Sequence, residues 1–211
     1  MAETRHIYLI DDDEAVRRSA SFLLRTSGFT VTAFASGTDF LKDARTGEPG
    51  CVLLDVRMPD MDGLAVQRRL AERGTEHPVI IMTGHGDVSI AVEAMKAGAV
   101  DFIEKPFEKA QLLAALDVAF ARLFDRDAAQ ASQEAAKVRI AVLTPRERDV
   151  LCGLVRGHPN KTIAYDLGIS PRTVEVHRAN LMTKLRVHSL SDALRIAFAA
   201  GLGTPPHGSF T

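Results

Sequence analysis

One pattern recurs through the first 124 residues: a short apolar run followed by a segment with apolar residues at helical spacing. The runs are Ile7–Ile10, Val31–Phe34, Cys51–Leu54, Val79–Met82 and Val100–Ile103. Between and after them lie helical stretches at Ala15–Leu24, about Phe40–Ala44, Leu64–Leu70, Val88–Ala97 and Leu112–Phe124, with Gly28, Gly47, Gly74 and Gly98 as stops. A strand apolar on both faces has to be covered on both. The pattern therefore predicts an open, five-stranded, doubly wound parallel sheet with helices on each side.

The pattern then changes. Residues 125–140 are rich in Ala, Gln, Glu and Arg, without Gly or Pro, and predict a helical or partly helical linker. Residues 141–201 show no strand alternation. They predict a separate all-α domain of four short helices, at about 144–156, 160–167, 171–185 and 189–200. Thr144-Pro145 and Ser170-Pro171 each put a capping residue ahead of a proline, and Gly157 and Gly168 fit as stops. The tail at 202–211 is expected to be disordered.

Composition removes several function classes. Apolar runs fall short of the roughly 18 residues a membrane helix needs, and the polar N-terminus is unlike a secretory signal. Cys51 and Cys152 stand alone, which fits a reducing cytoplasm rather than a disulfide framework or a metal cluster. The chain has no Trp and only 6% aromatic residues, which disfavours a carbohydrate cleft or a base-stacking platform. The overall net charge of −1 hides an asymmetry, since residues 1–124 carry −5 and residues 140–211 carry +4. A basic C-terminal part suits a polyanion partner.

Carboxylates fall where an open parallel sheet presents its functional edge. Asp11, Asp12 and Asp13 follow the first strand, Asp55 the third, Thr83 the fourth and Lys105 the fifth. Clustered carboxylates repel unless a cation joins them, and a few hard oxygens suit Mg²⁺. Acids, a hydroxyl and an ammonium around such an ion suit phosphoryl chemistry, in which a carboxylate can be the nucleophile. Taken singly, Asp13 reads as a helix cap, Asp60 and Asp62 as acids of the turn at Pro59–Gly63, and His85 as a loop residue.

The stretches Ile10–Glu14, Leu54–Gly63, Met82–Gly86 and Glu104–Phe107 resemble the receiver domain of bacterial two-component response regulators, over about residues 5–122. The resemblance implies a flavodoxin-like fold in which Asp55 accepts a phosphoryl group from a sensor histidine kinase. It implies an Mg²⁺ held by Asp11, Asp12, Asp55 and the backbone carbonyl of Arg57. Thr83 and Lys105 would bind the phosphoryl group, Phe102 would be the aromatic switch, and Lys105-Pro106 would be cis. It further implies a dimer, formed on phosphorylation, through the helix at about 88–97, with Val88, Ala91, Val92, Met95 and Lys96, and the strand at 100–103, with Val100 and Asp101 nearby and Phe102 turning inward as the switch is thrown.

In the C-terminal part, the helices at 160–167 and 171–185 are joined by Gly168-Ile169-Ser170, a spacing that suits either a helix-turn-helix or a plain bundle. Ile163, Ala164, Leu167, Ile169, Val174, Leu181 and Leu185 fit its core. The exposed positions would then include Lys161, Arg172, Thr173, Glu175, Val176, Arg178, Ala179, Thr183 and Lys184, which in a helix-turn-helix form the DNA face. Leu143–Leu151, Lys161–Ala164, Ile169–His177 and Lys184-Leu185 resemble the LuxR-type (NarL/FixJ) DNA-binding domain, with 171–185 as the recognition helix. Glu175 either reads a cytosine amino group or holds Arg178. Further stretches, Met82–Val88, Ala91–Lys105 and Ile169–Asn180, are most similar to the FixJ subfamily, which implies nitrogen-fixation or microaerobic genes, an oxygen-sensing FixL-like kinase and contact with RNA polymerase.

Together these features predict a cytoplasmic, phosphorylation-activated transcription activator. A phosphatase with Asp55 as nucleophile needs a second acid two residues on, where this chain has Arg57. An autoinducer receptor needs an aromatic-walled cavity in place of the receiver.

Overall fold

The computed structural model describes residues 5–43, 49–75, 77–84, 88–124 and 126–202, without the side chains of Val88 and of residues 126–129. The expectations for His85, for the helix end near Gly47 and for the tail beyond residue 202 lie outside the described residues. The chain divides into two compact units, residues 1–129 and 130–211.

The first unit is built on β1 (His6–Ile10), β2 (Thr30–Phe34), β3 (Gly50–Asp55), β4 (Val79–Thr83) and β5 (Asp101–Glu104), all parallel in the order β2-β1-β3-β4-β5. Around it lie α1 (Glu14–Thr26), α2 (Gly37–Asp43), α3 (Gly63–Glu72), α4 (Val88–Lys96) and α5 (Lys109–Phe124). Every residue of β3 and β4 is buried, as apolar runs covered on both faces must be. One core joins Leu9, Leu53, Ile80 and Ile103 of the sheet to Leu24 of α1 and Leu112, Leu116 and Phe120 of α5.

Helix α6 (Arg126–Ala141) runs through the segment expected as a helical linker. The second unit continues with α7 (Pro145–Val155), α8 (Asn160–Leu167), α9 (Pro171–Leu185) and α10 (Leu190–Ala199). Thr144 caps α7 in a reciprocal box: its hydroxyl accepts from the Glu147 amide, and the Glu147 carboxylate accepts from the Thr144 amide. Gly168 ends α8 at φ +66°, a left-handed turn suited to glycine, and Ser170 caps α9 two residues later. Leu167 and Ile169, expected in the core, are half-buried, whereas Ile163, Ala164, Val174, Leu181 and Leu185 are buried as expected. No helix among the described residues is long and apolar enough to cross a membrane.

Candidate functional site: an acidic edge and a helical reading head

Strand ends bring the acidic site together. Asp11 leaves β1, its amide donating to the Phe34 carbonyl at 3.2 Å, and Asp55 is the last residue of β3. Asp11 is fully buried, Asp55 nearly so, and Asp12 exposed. One carboxylate oxygen from each of the three lies within 4.8 Å of the others. Lys105, just past β5, sends Nζ into the cluster, 2.6 Å from Asp11 Oδ2 and 3.0 Å from Asp55 Oδ2. Its amide also donates to the Thr83 carbonyl at 2.8 Å, which ties the ends of β4 and β5. Lys105-Pro106 is cis, as expected.

Charge is in excess here. Burial pushes the Asp55 carboxyl up, and the neighbouring Asp11 adds to that; Lys105 and a backbone bond from Arg57 oppose it. Burial also disfavours the Lys105 ammonium, but its bonds to Asp11 and Asp55 prevail and hold its pKa up. Three carboxylates around one ammonium leave a negative balance of hard oxygen atoms, which is the donor set a small divalent cation prefers. The Asp11, Asp12 and Asp55 residues therefore fit a metal ion.

Neighbouring residues hold the site in shape. Asp13 caps α1 through the Ala15 and Val16 amides at 2.7 and 3.3 Å, and Asp62 caps α3 through Ala65 at 2.6 Å. Both acids are thus committed to helix ends. Asp60 is exposed. Gly63 begins α3 directly against the Asp55 carbonyl, so close that a Cβ would collide with it, and its amide bonds the Val56 carbonyl at 2.9 Å. Arg17 is a positioning residue the sequence did not reveal. Its guanidinium donates to the Asp11 and Asp12 carbonyls at 2.8 and 2.7 Å and so fixes the acidic loop. A basic residue one turn into the helix after the acids was the available signal.

The structure changes two expectations for the first unit. Ala91 and Val92 are 0% and 3% exposed, so in this state these side chains pack inward and offer no surface to a partner. Met95 is half-buried, Lys96 is exposed, and the side chain of Val88 lies outside the described residues. The resemblance suggests an interface here, but Ala91 and Val92 follow the spacing any helix uses against a sheet. Phe102 is 1% exposed, hence already inward in this state, and Thr83, at the end of β4, is equally buried.

In the second unit α8 and α9 form the helix-turn-helix pair. Arg172, Glu175, Val176, Ala179 and Thr183 form an exposed stripe on α9, and Lys161 is exposed on α8. Thr183 also bonds back to the Ala179 carbonyl at 3.0 Å. Asn180 flanks this stripe, exposed, and was absent from the expected set. The other expected contacts face differently. Thr173 is half-buried, with its hydroxyl 2.8 Å from that of Ser170. Arg178 bonds Asn160 Oδ1 of α8 at 3.0 Å. Lys184 Nζ sits 2.7 Å from Glu147 Oε2 of α7, a carboxylate that is itself buried. Burial tends to raise the Glu147 pKa, but Lys184 and the Thr144 capping bonds outweigh it and hold the carboxyl below its ordinary range. Lys184 therefore ties α9 to α7 rather than standing free for a phosphate.

Comparison with known proteins agrees with both halves. Residues 7–117 match the model of the response regulator receiver domain, and residues 141–197 that of the bacterial regulatory proteins of the luxR family. The chain is 50% identical to the transcriptional regulatory protein FixJ of Azorhizobium caulinodans over 202 residues, 96% of each chain. It is 44% identical to the response regulator protein TodT of Pseudomonas putida over 191 residues, 90% of this chain and 84% of that one. Among solved structures, full-length FixJ from B. japonicum is 48% identical, with a TM-score of 0.57 over 93% of this chain and 97% of that one. The buried acid–lysine cluster, the helix-turn-helix and these matches, which run nearly end to end, place the chain among the two-component response regulators, as a FixJ-like, phosphorylation-dependent transcription regulator of the LuxR family.

Proposed function

We propose that a sensor histidine kinase phosphorylates this protein on Asp55, and that the modification raises its affinity for promoter DNA. The observation that carries this is the position of Asp55: it ends a buried strand, 3.0 Å from Lys105, with Asp11 and Asp12 converging on it. In the transfer a carboxylate oxygen of Asp55 bonds to phosphorus as the bond from phosphorus to the kinase histidine breaks. Mg²⁺, held by Asp11, Asp12, Asp55 and the Arg57 carbonyl, would neutralise phosphoryl oxygens. Lys105 supplies a fixed positive charge, and the Thr83 hydroxyl can follow the new acceptor oxygens by hydrogen bonding. Incubation with acetyl phosphate and Mg²⁺ followed by intact mass measurement tests this: one phosphoryl group on the wild type and none on Asp55→Asn supports it, and equal labelling of both refutes it.

In this account residues 1–124 are the receiver, 125–140 the linker and 141–201 the DNA-binding domain, with the helix-turn-helix at 160–185. Arg172, Glu175, Val176, Ala179 and Thr183 face DNA from α9, with Lys161 and Thr173 near the backbone. The phosphorylated protein acts as a dimer, because one recognition helix reads only a short half-site. With Ala91 and Val92 committed to the core, the contact uses the outer side of α4, where Glu93 and Lys96 are exposed. Sedimentation of the phosphorylated protein and of its Lys96→Glu variant measures that contact.

The protein works in the cytoplasm, activates transcription together with RNA polymerase, and serves nitrogen-fixation or microaerobic genes under a FixL-like kinase. Relatives named FixJ, at 47–50% identity, support that pathway. A FixJ-like role in another pathway has support from the tetrathionate response regulatory protein TtrR of Salmonella typhimurium, which is 43% identical over 189 residues. Transcript profiles of a deletion strain at low and ambient oxygen separate the two.

A further inference from the structure

The recognition helix is held by polar ties as well as by apolar burial. Of its fifteen residues only Val174, Leu181 and Leu185 are buried. Three side-chain bonds secure it, each from a different helix: Arg178 to Asn160 of α8, Lys184 to Glu147 of α7, and a third from α6. In that third tie, Arg139 Nη2 donates to the carbonyl of Leu185, the last residue of α9, at 2.6 Å, across 46 residues of sequence. A last-turn carbonyl lacks a partner within the helix, and a guanidinium there also meets the negative end of the helix dipole. The helix end has no glycine to secure it. Arg186 takes the left-handed conformation at φ 53°, which an L side chain adopts at a cost. Arg139 is itself firmly based, because Ala136 and Ile140 on the same helix are 7% and 4% exposed.

We propose that Arg139 is a positioning residue for DNA recognition: through it α6, the helix that follows the receiver in the chain, sets the placement of the C-terminal end of α9. This rests on α9 being the recognition helix. A guanidinium that positions the helix differs measurably from one that binds phosphate. Loss of a phosphate contact weakens binding to every sequence and lowers the salt slope by about one. Loss of a positioning bond lowers affinity for the preferred sequence and leaves non-specific binding unchanged.

The test uses the full-length protein with two probes: a duplex it selects from a randomised pool, and a scrambled duplex of the same length. Arg139→Ala should lower affinity for the selected duplex about tenfold, the scale of one charge-assisted bond. Affinity and salt slope on the scrambled duplex should stay the same. Arg139→Lys, which keeps a donor and the charge, should recover part of the loss, and amide exchange at residues 185–188 should quicken in Arg139→Ala only. An unchanged ratio between the two duplexes overturns the proposal, even if the melting temperature falls, and so does an equal loss on both. If Arg139→Ala does not fold, the same ratio measured on Arg139→Gln decides. Val176→Ala serves as the control for α9: a sequence preference it does not alter refutes the recognition-helix assignment instead.

Discussion

Each unit of this protein clamps a lysine onto a buried carboxylate, and the two clamps do opposite things. In the receiver, Lys105 lies 2.6 Å from Asp11 and 3.0 Å from Asp55, with Asp12 close by, so one ammonium faces three acids. In the DNA-binding unit, Lys184 lies 2.7 Å from Glu147 Oε2, which also accepts from the Thr144 amide of the capping box. The second clamp is balanced, one ammonium to one carboxylate, and it holds α9 to α7. The first is unbalanced: its surplus negative charge at a strand edge suits a divalent cation, and in the proposed function that cation and Lys105 together would offset the charge of an incoming phosphoryl group. Surplus charge that burial cannot explain as structure is thus the better marker of chemistry.

That contrast can be broken most severely at Asp55. Asp55→Asn should abolish labelling by acetyl phosphate, whereas Asp60→Asn and Asp62→Asn keep it; Asp62→Asn retains an acceptor for the Ala65 amide and costs little stability. Chelation of Mg²⁺ should stop labelling of the wild type, and undiminished labelling in EDTA would count against the site. Next in size is Val92→Glu. With Val92 3% exposed, the substitution buries an unpaired charge and should destabilise the receiver by about 3 kcal/mol or more in urea unfolding, without needing a dimer to do so.

Lys184→Ala sharpens the other half. It strands the buried Glu147 carboxylate, and because Lys184 is 38% exposed the cost is discounted to about 2 kcal/mol. Its salt slope on non-specific DNA should match the wild type, whereas Arg172→Ala, at an exposed position, should lower that slope by about one with no loss of stability. The smallest effect is one of pH. Glu147 is held below its ordinary 4.5, so its contribution is present above that value and fades as pH falls through it. Calorimetry of the second unit's transition should show Glu147→Gln flattening that acid dependence.

Much of this was legible in sequence, for definable reasons. Apolar runs mark buried parallel strands, and a polar residue at the end of such a run has to sit at the sheet's carboxyl edge, which placed Asp11, Asp55, Thr83 and Lys105. Periodicity within one helix likewise exposed Val176 and Ala179. It could not reveal Lys184–Glu147 or Arg139–Leu185, because bonds between helices 37 and 46 residues apart leave no spacing signature. Family resemblance alone puts Ala91 and Val92 on a partner surface, and an apolar face at helical spacing could not correct that, because it reads the same whether it meets a partner or its own sheet; here both residues are buried.

The central claim is that the unbalanced clamp governs the balanced half. It is tested most directly by the affinity of full-length protein for its selected duplex, before and after treatment with acetyl phosphate and Mg²⁺, in the wild type and in Asp55→Asn. The account predicts that affinity rises on treatment in the wild type and stays at the untreated value in Asp55→Asn. An equal rise in both, or no rise in a wild type shown by mass to be phosphorylated, would contradict it.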